Sequence, residues 1–371
     1  MYCVRSNLLR YLAIVLGLAA LVWALWYFKA IVIYILVAAI ISLIGAPLVK
    51  ILDRIKIGKK NFPRALSAAI TLALILFMIF IFFRLFIPMI AYEAHEFSNI
   101  DITQVKENLR EPLGKIQEWI GTIETENGTQ LSVEDYVSNK VVSILSLSRI
   151  SNVLGFITGM LGDIFIGIFS ISFITFFFLK DTRLASRSVL LLIPDKFEES
   201  TRHALTSIKN LLTRYFLGLI IQLTLIMLLI SLGLYLVGLD FQHAIIIGLF
   251  AGLFNVVPYV GPIIGGIFGI VIGIVTNINL DFYAEILPLI GYIALVFVSV
   301  QLIDNFIFQP FIYSSSVKAH PLEIFLVILI AGSVAGIKGM ILAIPTYTVL
   351  RAIAKEFFNK FKVVKKLTEN I

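Results

Sequence analysis

The chain has 371 residues, 59% of them hydrophobic and only 14% charged, with a formal net charge of +7 and a mean hydropathy of +0.99. Soluble domains carry roughly 25% charged residues, so this composition excludes an ordinary water-soluble protein and requires much of the surface to face lipid. Cys3 is the lone cysteine, which rules out an intramolecular disulfide or a thiolate cluster. The histidines (His95, His203, His243 and His320) lack ligand spacing, so no metal or other cofactor is expected. The basic balance comes without any nucleic-acid motif, and the expected partners are the bilayer and a small-molecule or ionic substrate.

In chain order, apolar runs at 11–28, 30–49, 65–92, 153–179, 216–238 and 286–303 read as spanning helices. About 18 apolar residues suffice to cross a bilayer, and in lipid the backbone must satisfy its own hydrogen bonds. A β-barrel would show short alternating segments instead. The first run closes on WALWYFKAI rather than on small cleavage-site residues, so it reads as a span and not a signal peptide. The fold class is therefore an all-α polytopic membrane protein, with six clear spans plus two further stretches, 243–275 and 322–350, broken by glycine and proline.

Lysine and arginine near span ends set orientation. Lys50, Arg54, Lys56, Lys59, Lys60 and Arg64 follow the second span. Basic residues also mark the loop 180–215 and the tail 351–371, so these segments and both termini are expected in the cytoplasm. The segment 93–150 carries ten acids against five bases and lies between two basic loops, which places it outside. Within it, Val105, Leu109, Leu113, Ile116 and Ile120 recur at helical steps. They suggest amphipathic helices forming a gate, or a lid packed on the spans or on a neighbouring subunit of a homo-oligomer. The chain thus divides into spans 1–92, the insert 93–150, a fourth span with its basic loop 151–215, a core 216–350 and the tail.

The core carries the functional signal. The stretch 243–275 has 33 residues, about 50 Å as one helix, against a hydrocarbon layer about 30 Å thick. Asn255, Pro258, Tyr259, Gly261 and Pro262 interrupt its centre, where proline removes backbone donors. Gly261, Gly265, Gly269 and Gly273 then form a small-residue ridge suited to close helix contact. In 322–350, Gly332, Gly336 and Gly339 surround Lys338, with Pro345 beyond. Each stretch is either a single kinked span or a re-entrant hairpin. The acids Asp281 and Glu285 on one side, and Lys318 on the other, favour hairpins. Two spans each followed by a hairpin would make an inverted repeat, with a substrate site where broken helices meet.

Between these stretches, Gln301, Asp304, Asn305 and Gln309 fall on one helical face. Asp304 is read either as a proton or cation site or as an interfacial cap of a helix ended by Pro310. Glu323, just after His320 and Pro321, suits a helix amino terminus or a functional role.

The segments NVVPYVGPIIG, DNFIFQP and AHPLEIFLVILIAGSVAGIKGMILAIP together resemble the autoinducer-2 exporter family, and the likeness extends over most of the chain. Pro258, Tyr259, Gly261 and Pro262, Asp304 and Asn305, His320 and Pro321, and Gly336, Gly339 and Pro345 match its pattern. The sequence departs from it at YSSSVKAHPL, where the family commonly has a glycine and Leu-His-Pro. The resemblance implies efflux of a small furanone-derived signal or, in some members, sodium–proton exchange. No GxxxxGK[ST] motif is present to bind nucleotide, so an ion gradient or downhill flow would drive transport. A passive channel is the alternative reading. The protease signatures HExxH and GxSx with histidine are absent, and no catalytic role is expected.

Overall fold

The computed structural model describes residues 16–98 and 161–358, apart from interruptions at 18, 21–22, 25, 58–59 and 317–319, and a few positions between the two stretches. Half of the first expected span and the amphipathic helices of the insert fall outside the described residues. What is described is an α-helical polytopic membrane protein. Five helical segments are long and apolar enough to cross a membrane, or six if a pair bent by 89° at Lys180–Leu184 counts as one span. The described strands are two antiparallel ladders of two-residue strands, β1 (Lys56–Ile57) with β2 (Lys60–Asn61) and β3 (Ile123–Glu124) with β4 (Gln130–Leu131).

The chain divides into two compact units, Met1–Phe77 with Gly159–Pro194, and Met78–Thr158 with Asp195–Ile371. The first holds α1 (Lys29–Asp53), the opening half of α2 (Arg64–Ser98), α3 (Leu161–Lys180) and α4 (Leu184–Leu190). These pack through small residues: Gly45 of α1 sits against Thr71, Ile75 and Leu179, beside a core of Val49, Ala68 and Leu179. Their outer faces carry exposed phenylalanines such as Phe165, Phe169 and Phe173, as lipid contact requires.

The second unit begins with a correction. The segment 180–215, expected as a loop, contains α4, a short turn at Asp195–Phe197 and the first half of α5 (Glu198–Leu236). At 39 residues α5 is about 58 Å long, well beyond the bilayer core. Its polar start is helical because Glu198 and Glu199 occupy the first turn, where acids favour the helix dipole. Glu198 also pairs with Arg202 at 2.5 Å, and Thr201, Ala204, Leu211 and Tyr215 give that half a buried face. The chain turns at Gly238, whose φ of 100° suits glycine. Asp240 then caps α6 (Phe241–Phe254) by accepting the Gln242 amide at 3.0 Å.

A break at Asn255–Tyr259 separates α6 from α7 (Val260–Thr276). The pair folds back on itself. The ring of Phe250 stacks on Phe268 at 3.9 Å, Gly265 meets Ala251, Gly269 meets Ile247, and Gly261 meets Phe254. Each pair couples a later α6 residue to an earlier α7 residue, the signature of antiparallel packing. With 14 and 17 residues, the arms are about 21 and 25 Å long.

Next comes α8 (Leu287–Ile303), flanked by π turns at Phe282–Ile286 and Asp304–Phe308 and continued by α9 (Gln309–Ser316). Helix thus runs on past Pro310, which had been one expected end. The proline sits at the second residue of α9, immediately after the π turn, in the first turn where a missing N–H is tolerated. Contacts of Gly218 with Ile312 and of Gly233 with Val296 show that this span runs antiparallel to α5.

The last helix, α10 (Pro321–Phe357), is not one rod. Ala335 and Gly336 are non-helical, and Gly336 has φ 58°. Tyr347 donates its hydroxyl proton to Glu323 Oε2 at 3.0 Å, across 24 residues that a straight helix would spread over about 36 Å. Gly332 lies against Met340, and Gly339 against Ala331. The chain therefore reverses at Ala335–Gly336 into a second helical hairpin, although length and composition alone would pass residues 322–357 as a single span. The unit is thus span plus hairpin followed by an oppositely directed span plus hairpin.

Candidate functional site

Asp304 opens a π turn, a widened helical turn that often marks functional sites. Its side chain is enclosed, with the residue 1% exposed. Gln222 of α5 donates its amide to Asp304 Oδ1 at 2.6 Å, and Gln309 of α9 donates to Oδ2 at 2.8 Å. Asn255, at the end of α6, lines the same small pocket as the carboxyl. Gln222, Asn255 and Gln309 are all buried. The π turn explains the Gln309 contact, because widening by one residue brings position 309 over position 304.

Around this cage, Gln301 donates to Asn305 Oδ1 at 2.8 Å, and Gln309 reaches the same oxygen at 3.1 Å. A small pocket beside the carboxyl is lined by Ile226, Ala251, Asn255, Pro262, Gln301 and Asp304, among others. No cation pairs with Asp304 among the described residues. Its partners are neutral amides, which can turn to present N–H to a carboxylate or oxygen to a carboxylic acid. Such a set can hold the group in either charge state.

The structure gathers Asn255, Pro262, Gln301, Asp304, Asn305 and Gln309 into this site. Buried Pro258 and half-exposed Tyr259 form the turn of the first hairpin, with Tyr259 at φ 68°. The ring of Tyr259 meets Phe325 of α10 edge-on at 5.4 Å, which joins the tip of the first hairpin to the base of the second. Gly261 permits that turn, since a Cβ there would lie 2.1 Å from the Phe254 carbonyl oxygen. The remaining candidates stand apart from the cage. His320 accepts the Leu322 amide through Nδ1 at 3.2 Å and caps α10. Glu323 is bound to Tyr347. Gly336 forms the second hairpin's turn, and Lys338 is exposed just beyond it.

Gln222 was the residue that reading the sequence left outside the site. Its signal in the sequence is a lone amide in the apolar run 216–238, a residue type suited to a helix–helix hydrogen bond whose partner spacing does not name.

The profile of the AI-2E family transporters matches residues 12–359. The chain belongs to this family. Residues resembling it at the two hairpins and around Asp304 therefore lie in the architecture of a membrane transport protein. A Bacillus subtilis (strain 168) protein named "Putative transport protein YueF" is 26% identical over 341 residues, covering 89% of this chain and 84% of its own length. A second from the same organism, "Putative transport protein YrrI", is 26% identical over 212 residues, covering 57% of this chain and 55% of its own.

Proposed function

We propose that this AI-2E family member is a secondary transporter of the bacterial inner membrane that exports a small polar solute, of the autoinducer-2 kind, or exchanges it or cations against an ion gradient. Asp304 is the coupling group. The observation that carries the reading is a buried carboxyl held by amides from α5 and α9, with Asn255 at the turn of a broken helix lining the same pocket. Ionisable residues inside membrane spans are costly and are kept chiefly for ion or substrate pathways. Broken helices at the meeting of inverted repeats form such sites in many secondary transporters.

In this reading both helical hairpins are re-entrant. The arms of the first are shorter than the hydrocarbon layer, so its turn ends inside the membrane and delivers Asn255 to Asp304. The second enters from the opposite, cytoplasmic side, with its base at Glu323 and Tyr347. Both termini lie in the cytoplasm, in line with the basic residues of α4, α5 and the tail. Binding a proton or cation at Asp304 removes the charge the amides otherwise hold, and the hairpin turn repacks around the neutral group. Alternating access follows from that repacking.

The test is transport by the purified protein in liposomes, using a panel of small polar solutes under imposed proton or sodium gradients. Uphill solute movement driven by one gradient, with solute counterflow, supports the reading. Downhill flux alone, indifferent to both gradients and without counterflow, makes the protein a passive facilitator.

A further inference from the structure

At 20 residues, α3 is about 30 Å long, which matches the thickness of the hydrocarbon layer. Its last residue, Lys180, therefore falls at a membrane surface. There the chain bends by 89° into α4. Spanning helices tilt by about 20° on average, so α4 lies close to the membrane plane rather than leading away from it.

At about 100° per residue, Leu184, Ala185, Val189, Leu191 and Leu192 share one face of α4 and its closing turn, while Arg183, Ser186 and Arg187 share the other. Ser188, the polar residue within the apolar arc, returns its hydroxyl to the Leu184 carbonyl at 3.1 Å. Leu191 and Leu192 are 86% and 85% exposed, more than any other large apolar side chain among the described residues. Adjacent leucines so bare are unfavourable in water. They suit the headgroup boundary, where an in-plane helix sinks its apolar face about 5–10 Å.

The polar side supplies charge. Val49 packs with Leu179, which sets the end of α1 beside the end of α3. Arg64, at the start of α2, donates to Thr182 Oγ1 at 3.0 Å. Arg54, Lys56 and Arg64 thus join Lys180, Arg183 and Arg187 at one corner, all of them exposed. The acids set against them are Asp53 and Asp181. Asp181 accepts the Arg183 backbone amide at 3.0 Å and lies 3.8 Å from Arg187. Basic clusters of this size beside a span attract anionic headgroups. The exposed rings of Phe169, Phe173 and Phe177 lead along α3 to the same corner.

We propose that this corner is a binding surface for anionic phospholipid of the surrounding bilayer, with Leu191 and Leu192 at the acyl boundary and the arginines on the lipid phosphates. It rests on α3 crossing the membrane and on no reading of transport. The test uses the full chain in nanodiscs, in a Cys3→Ser background, with a bimane label on Leu192→Cys or, on the polar face, on Ser186→Cys. Quenching by brominated phosphatidylglycerol is compared with quenching by brominated phosphatidylcholine, and acrylamide reports access from water. The label at 192 should be quenched by lipid and shielded from acrylamide, and the label at 186 should behave in the opposite way. Phosphatidylglycerol should be preferred by about fivefold for each arginine engaged. Arg183→Gln combined with Arg187→Gln should remove that preference and leave the label at 192 in lipid. Acrylamide access at 192 equal to that at 186 overturns the proposal. Shielding from both quenchers overturns it too, because protein, such as a second copy of the chain, would then cover the leucines. Equal quenching by the two lipids, or a preference that survives both substitutions, rules out anionic lipid as the partner.

Discussion

Alanine at position 261 attacks the turn that delivers Asn255 to Asp304. Its Cβ would lie 2.1 Å from the Phe254 carbonyl oxygen, 2.5 Å from the Phe254 carbonyl carbon and 2.6 Å from Asn255 Cα. All three are backbone atoms, so no flexible side chain can swing away. Restoring ordinary contact, near 3.5 Å between carbons, forces the first hairpin to open by roughly 1 Å at its turn. Overpacking of this kind costs about 1–3 kcal/mol. Displacing a positioned group by about 1 Å can cost on the order of 10²-fold in rate, so transport should fall further than stability. Gly291→Ala is the control: nothing lies within 4 Å of a Cβ there, and alanine is favoured over glycine in a helix by about 0.8–1.0 kcal/mol. The assay is gradient-driven uptake into proteoliposomes, using whichever panel solute the wild type moves, with the unfolding midpoint measured in detergent. Wild-type uptake by Gly261→Ala would refute the close-turn argument.

Gln222→Leu keeps the volume but strips Asp304 Oδ1 of its 2.6 Å donor, at about 1–3 kcal/mol for an unsatisfied buried acceptor. Uptake should drop more than in Gln301→Leu, whose amide bonds Asn305 instead; equal uptake by the two variants would contradict the cage. Tyr347→Phe removes the bond that closes the second hairpin and should lower stability by about 1–3 kcal/mol, read as a reduced unfolding midpoint. An unchanged midpoint would mean the hairpin is held by its apolar contacts alone. In a Cys3→Ser background, Leu236→Cys and Asn279→Cys should both react with an impermeant thiol reagent added outside, because the first hairpin returns to the side it left. Labelling of only one of them would restore a single kinked span.

Much of this architecture was legible because the membrane imposes harsh local rules. Apolar length marked most of the described spans, and Asn255 to Pro262 marked the first break through missing backbone donors. Spacing alone put Gln301, Asp304, Asn305 and Gln309 on one face. It could not find Gln222, which is 82 residues from Asp304 in sequence, nor Glu93 against His243, 150 residues apart, because such pairings arise only once the helices pack. The helical start of α5 was missed because its lysines and arginines, which report membrane side, were taken to report a loop. Pro310 misled for a similar reason: a π turn just before it provides the irregular backbone that a proline otherwise breaks a helix to obtain. The turn of the second hairpin falls at Ala335–Gly336, so Lys338 sits exposed beside it rather than within a buried helix.

The most direct test of the account is Asp304→Asn, which keeps the size and hydrogen bonding of the side chain but removes its ability to exchange a proton or hold a cation. Purified wild type and variant are compared in proteoliposomes, with and without an imposed proton or sodium gradient, alongside solute counterflow at equilibrium. The account predicts a variant that inserts and folds, loses gradient-driven accumulation and retains counterflow. Gradient-driven accumulation at the wild-type rate would show that Asp304 couples nothing and that its cage is structural.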